Sequence, residues 1–170
     1  GRKFMELSGD FTLQMIGHLQ SNKAKEAVAY FDLIHSIDKV STAAKVDKEA
    51  EKAGKIQNIL IQINASGEAT KSGISPEEAL PFFEEILKLK NINVLGLMTM
   101  APYTDDASII RDTFRKTREC LEKVNTSFGL NMRELSMGMS SDYHIAVEEG
   151  STMVRIGSAI FGQRDYSNRL

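Results

Sequence analysis

Short apolar runs alternate with amphipathic stretches along the whole chain of 170 residues, and this strand-then-helix order limits the available folds more than any other feature. The runs expected as strands are Leu13 to Leu19, Leu33 to Ser36, Asn58 to Asn64, Val94 to Met100, Glu134 to Met137 and Met153 to Gly157. The third contains Ile59-Leu60-Ile61-Gln62-Ile63 and is almost continuously apolar, as a parallel strand covered on both faces must be. Strand and helix in repeated succession imply right-handed crossovers and a parallel sheet. About six strands suit an open doubly wound sheet, or a closed barrel with units missing, since a complete (β/α) barrel uses eight units and roughly 250 residues. Periodicity alone leaves both open.

Between these runs the helix signals are explicit. Ser75-Pro76-Glu77-Glu78 offers an N-cap serine, a proline at the first helical position and a glutamate at N3 placed to close a capping box. Behind it Ala79, Phe82, Phe83, Ile86 and Leu87 form an apolar face. Ile110, Phe114, Thr117, Leu121, Val124 and Phe128 recur at steps of three and four, and Gly129 follows as a C-cap. Ser21 and Asp38 are expected to cap helices near residues 22–31 and 39–53.

Composition excludes several function classes. A net charge of −2 gives no electrostatic reason to bind nucleic acid or an anionic membrane. No apolar run approaches the roughly 20 residues needed to cross a bilayer, and the first residues lack the apolar stretch of a signal peptide. The single cysteine, Cys120, cannot form an internal disulfide, which suits a reducing compartment, so the expected location is the cytoplasm. Cys120 lies beside the apolar face of its helix and is expected to be buried rather than reactive. No set of His, Cys or acidic side chains has metal-ligand spacing. The lysines from Lys45 to Lys55 alternate with acids, as on a solvated helix face.

The candidate chemistry sits where two strands run into loops of small residues, Leu135 to Asp142 and Gly150 to Gly162. Small residues let backbone N–H groups approach a ligand, and a following helix start favours an anion such as phosphate. In barrels the loops after the last two strands commonly do this, although tight turns between strand and helix have the same composition. Arg155 stands in an otherwise apolar strand, opposite Val154 and Ile156 in the alternation. A buried guanidinium requires partners, which a structural ion pair or a ligand would supply.

Four segments, in order, resemble the pyridoxal 5'-phosphate (PLP) homeostasis family. They are Ile16-Gly17-His18-Leu19-Gln20-Ser21-Asn22-Lys23, the stretch Leu60 to Gly73, Gly96-Leu97-Met98-Thr99-Met100, and Ser136 to Gly162. The resemblance spans nearly the whole chain. It implies an α/β fold, the (β/α)8 TIM-type barrel of the alanine racemase N-terminal class, with PLP at the C-terminal mouth of the strands. It further implies that Ser136, Met139, Ser140, Gly157 and Ser158 surround the phosphate, that Arg155 faces the pyridine nitrogen, and that His18 lies near the mouth. The implied role is a cytoplasmic carrier or buffer of PLP without turnover, acting as a monomer and handing the cofactor to PLP-dependent apoenzymes.

The chain departs from the family at one end. The family's PLP-linking lysine lies on a strand that precedes the first matching segment, and about two βα units have no counterpart. The expectation is therefore one PLP-binding barrel domain over residues 1–170, a piece of a longer protein. Lys71 and Lys23, in loops after strands, are the candidate substitute amines; both also suit solvated surface positions. No role is assigned to His35 or His144. Two alternatives remain in view: an amino-acid racemase of the same barrel class, for which Tyr166 would have to replace a whole additional domain, and a barrel for another phosphorylated metabolite.

Overall fold

The computed structural model describes residues 10–68 and 71–162. Six strands form one sheet in chain order, all neighbours parallel: β1 (Gln14–Met15), β2 (Leu33–Ile37), β3 (Gln57–Ile63), β4 (Ile92–Thr99), β5 (Glu134–Met139) and β6 (Met153–Arg155). The helices between them are α1 (Ala24–Tyr30), α2 (Val40–Lys52), α3 (Ala79–Ile86), α4 (Ala107–Phe128) and α5 (Tyr143–Glu148); α6 (Ser158–Phe161) follows β6, and a 3-10 turn (Ser21–Lys23) precedes α1. The sheet is a half-barrel, and its sequential strand order excludes the doubly wound alternative, in which the order reverses.

Side-chain alternation sorts each strand into an outer and an inner face. Outward residues, among them Ile34, Ile59, Ile61, Ile63, Leu97, Leu135 and Met137, pack beneath the helices in the main core. Inward residues Leu33, Leu60 and Met98, with Leu95 and Met153, form a second and smaller apolar cluster. The same inner face carries His35, Ser136 and Arg155, which are joined to one another. One wall of the half-barrel is therefore partly greasy and partly polar.

The reciprocal bonds of the expected capping box are present, the Ser75 N–H donating to Glu78 Oε2 at 2.9 Å and the Glu78 N–H to Ser75 Oγ at 3.3 Å, but they close a turn ahead of α3, which begins at Ala79 with Glu78 at its N-cap. Gly129 ends α4 in the left-handed region, φ 64°, which glycine adopts without a steric penalty. Other expectations need correction. The Leu13 to Leu19 strand contracts to Gln14–Met15, because the chain then turns: Ser36 Oγ donates to the Gly17 carbonyl, and Leu19 drops into the core. Neither Ser21 nor Asp38 caps a helix. Leu87 lies beyond the end of α3 and is exposed. Cys120 is buried, and burial pushes its thiol up to about 11.

An ion cluster ties α4 to α5. Arg111, Arg115 and Arg118 converge on buried Glu149, Arg111 at 3.0 Å, and Arg111 also pairs with Glu148. Burial opposes the Glu149 charge, but the arginines outweigh it and hold the carboxyl below its usual range. The stabilisation is thus present at neutral pH and is lost as pH falls through the lowered pKa. Glu149→Gln should lower the melting temperature at neutral pH by roughly 3 °C, with less effect in strong acid. A thermal scan at both pH values checks this.

Candidate functional site

The parallel strands bring all their C-terminal ends to one side, where the loops after β5 and β6 meet. The Gly157 and Ala159 backbone N–H groups both donate to Ser140 Oγ, at 3.2 and 3.3 Å. Two main-chain donors therefore aim at one oxygen. A Cβ built on Gly157 meets nothing within 4 Å, and its φ of −121° does not itself demand glycine. Both donors are held by the Ser140 hydroxyl, and the missing side chain leaves open space beside them, so a ligand's anionic oxygen would bind there by taking that hydroxyl's place. Ser158 is exposed in the same turn.

On the inner face lies a continuous polar chain. Arg155 Nη1 donates to Ser136 Oγ at 2.8 Å, and Nη2 donates to the Thr99 carbonyl at 2.8 Å. Ser136 Oγ is 2.9 Å from His35 Nδ1, and His35 Nε2 is 2.9 Å from Gln14 Oε1. Arg155 forms no salt bridge among the described residues. Burial lowers its pKa, and the charge of Asp142 partly offsets that. A guanidinium stays protonated regardless, so the site holds a positive charge that only neutral acceptors touch. The His35 imidazole, by contrast, is pushed down to about 4 by burial and then by Arg155.

The structure divides the expected site residues. Ser140, Gly157 and Ser158 form the turn with the convergent donors. Ser136 is fully buried, and its hydroxyl is shared by Arg155 and His35. The Met139 N–H donates to Asp142 Oδ1, which fixes the loop. Ser136 and Met139 thus hold partners within the protein, as the Gly157 and Ala159 N–H groups do in Ser140 Oγ. His18 is half-exposed in the loop after β1, with Nδ1 4.0 Å from Asp38 Oδ2, and the other Asp38 oxygen is buried with no hydrogen-bond partner. Lys23 pairs with Glu26 and Lys71 with Glu68, at 3.1 and 2.9 Å, so both amines are ion-paired. Among the described residues no cluster of three potential metal ligands occurs, and no helix is long and apolar enough to cross a membrane. Tyr166 lies outside the described residues.

Sequence reasoning missed His35, Gln14, Ala159 and the Thr99 carbonyl. His35 carried a usable signal: like Arg155, it is a polar residue inside an apolar strand, and alternation puts it on the inner face.

The family model for the alanine racemase N-terminal domain matches residues 7–165. The pyridoxal phosphate homeostasis protein of Aquifex aeolicus is 43% identical over 92% of this chain and 69% of its own length. That of Pongo abelii is 36% identical over 98% of this chain and 64% of its own length. The chain thus spans about two thirds of the curated relatives it matches. PipY of Synechococcus elongatus, solved with PLP bound, superposes with a TM-score of 0.85 at 33% identity, covering 95% of this chain and 74% of that one. Alanine racemase of Clostridium difficile shares the fold, with a TM-score of 0.79 at 16% identity over 99% of this chain and 44% of that one.

Proposed function

Because the chain belongs to the pyridoxal phosphate homeostasis proteins, within the alanine racemase N-terminal-domain barrels, we propose that it binds PLP at the C-terminal ends of its strands and carries or buffers it without turnover. The observation that supports this most is the pair of convergent N–H groups from Gly157 and Ala159, with open space where a Cβ would stand, close in sequence to a guanidinium whose contacts among the described residues are a hydroxyl and a carbonyl. Ser140, Gly157, Ser158 and Ala159 are the residues that would hold the phosphate. Ser136 and Met139 would support them from beneath.

Arg155 would meet the pyridine nitrogen. When bound, PLP supplies a reactive aldehyde and a ring able to accept electrons. A fixed positive charge beside the nitrogen disfavours its protonation, since like charges repel. Arg155 thereby weakens the ring as an electron sink, and a site of this kind retains the cofactor better than it uses it. The racemase alternative also requires a second acid or base on the far face of the substrate. Release to PLP-dependent apoenzymes in the cytoplasm completes the reading.

Equilibrium dialysis tests it. PLP should bind saturably, ribose 5-phosphate should compete poorly, and Gly157→Val, which fills the space before the donors, should weaken PLP binding by roughly tenfold or more. An absence of saturable binding, or equal competition by the sugar phosphate, would overturn the assignment.

A further inference from the structure

The polar chain on the inner face has a direction, and the direction gives His35 a task. Gln14 Oε1 can only accept, so the His35 Nε2 that faces it at 2.9 Å carries the proton. Gln14 is itself oriented by its amide nitrogen, which donates to Thr12 Oγ1 at 3.2 Å. With Nε2 protonated, Nδ1 holds a lone pair and accepts the Ser136 hydroxyl proton. The Ser136 oxygen then turns its own lone pairs to Arg155. The opposite tautomer would place two acceptors face to face at Gln14, and it would leave the Ser136 proton, in a side chain with no exposure, without an acceptor. The donors therefore run one way, from Arg155 to Ser136 to His35 to Gln14. They cross four strands: β6, β5, β2 and β1.

We propose that His35 is the positioning residue for Arg155: by taking the Ser136 proton it fixes Ser136 as an acceptor, and so fixes where the guanidinium points. Among the described residues no carboxylate bonds Arg155, whose two contacts are a hydroxyl and the Thr99 carbonyl. A carboxylate in place of Ser136 would hold the guanidinium more tightly and also cancel its charge. The neutral relay holds it while leaving the charge available to the ligand. The hydrogen-bond partners of His35 are Ser136 and Gln14, so its influence on Arg155 passes through Ser136. As regards PLP, the inference rests on the function proposed above; as regards Arg155 it stands on the geometry.

The test is a double-mutant cycle with two readouts. The first is solvent exchange of the Arg155 side-chain N–H groups, followed by nitrogen-15 NMR without ligand. The second is PLP affinity by equilibrium dialysis, and a thermal scan confirms that each variant is folded. His35→Leu removes the acceptor, and it should speed Arg155 exchange and weaken PLP roughly tenfold. His35→Asn retains an acceptor at the Nδ1 position, while Gln14 at the exposed end turns to water, and it should keep most of both signals. In a Ser136→Ala background His35→Leu should add nothing further. Should H35L fail to fold, H35Q, which keeps the Gln14 bond but has no acceptor at the Nδ1 position, makes the same comparison.

The proposal fails if the acceptor-free variant leaves Arg155 exchange unchanged, if its effect adds to that of Ser136→Ala, or if His35→Asn is equally impaired. Wild-type chain that binds no PLP, yet shows the Arg155 response, would sink the PLP reading and leave the positioning role standing.

Discussion

Gly96→Ala should cost about 3 kcal/mol or more of folding stability, the largest effect expected of any single methyl group in this chain. Gly96 lies in β4 opposite Glu134 of β5. A Cβ there would stand 1.9 Å from the Glu134 carbonyl oxygen and 2.7 Å from its carbon. Those atoms are backbone, so no rotamer change relieves the clash and the two strands must separate. Separation strains the β4–β5 ladder and the Arg155 contacts that reach both strands. Gly54→Ala is the control: its φ of 63° disfavours alanine, but nothing lies within 4 Å of its Cβ, so about 1 kcal/mol is expected. Urea midpoints of the two variants measure the difference. Equal midpoints would mean that β4 and β5 do not meet in this register.

The second large effect is loss of stability in mild acid. His35 is fully buried and has its pKa pushed down to about 4, whereas an unfolded histidine titrates near about 6.5. As pH falls below that value the unfolded chain takes up a proton that the folded chain refuses, and the equilibrium shifts toward unfolding. Stability from this residue is complete above about pH 6.5, declines down to about pH 4, and changes little below. Over the whole window the loss is about 3 kcal/mol. The facing groups explain why the native state resists: Arg155 is the charge in reach, and Ser136 and Gln14 are neutral. Urea unfolding at about pH 7 and about pH 4.5 should show a marked fall for wild type and a much smaller one for His35→Asn. Equal slopes for the two proteins would contradict the assignment.

How much of this was legible in the sequence depended on whether a signal was local. The β3 strand, the face of α4 and the Ser75–Glu78 bonds all follow from residues near one another in the chain, and each is found where expected. Ser21 and Asp38 also carried a local cap signal, but tertiary contacts prevailed. The chain enters α1 through a 3-10 turn, and Asp38 faces His18 instead of the α2 amides. The edge strands β1 and β6 were expected too long because hydropathy does not report where the chain turns away from the sheet. In the site, Arg155 was conspicuous as a charge in an apolar strand. Its partner network was not, since Ser136 and His35 are 101 residues apart. Ser136 and Met139 were legible as loop-end residues beside the small-residue turns, but the partners they hold within the protein, His35, Arg155 and Asp142, were not.

The measurement that bears most directly on the central claim is amide shift mapping by NMR as PLP is added to the full chain. Binding as argued should perturb Ser140, Gly157, Ser158 and Ala159 most strongly, together with the Arg155 side chain, and should leave the outer face around Glu149 unchanged. Perturbation confined to Lys23 and Lys71, or none at all, would show that the convergent amides and Arg155 do not form a cofactor site.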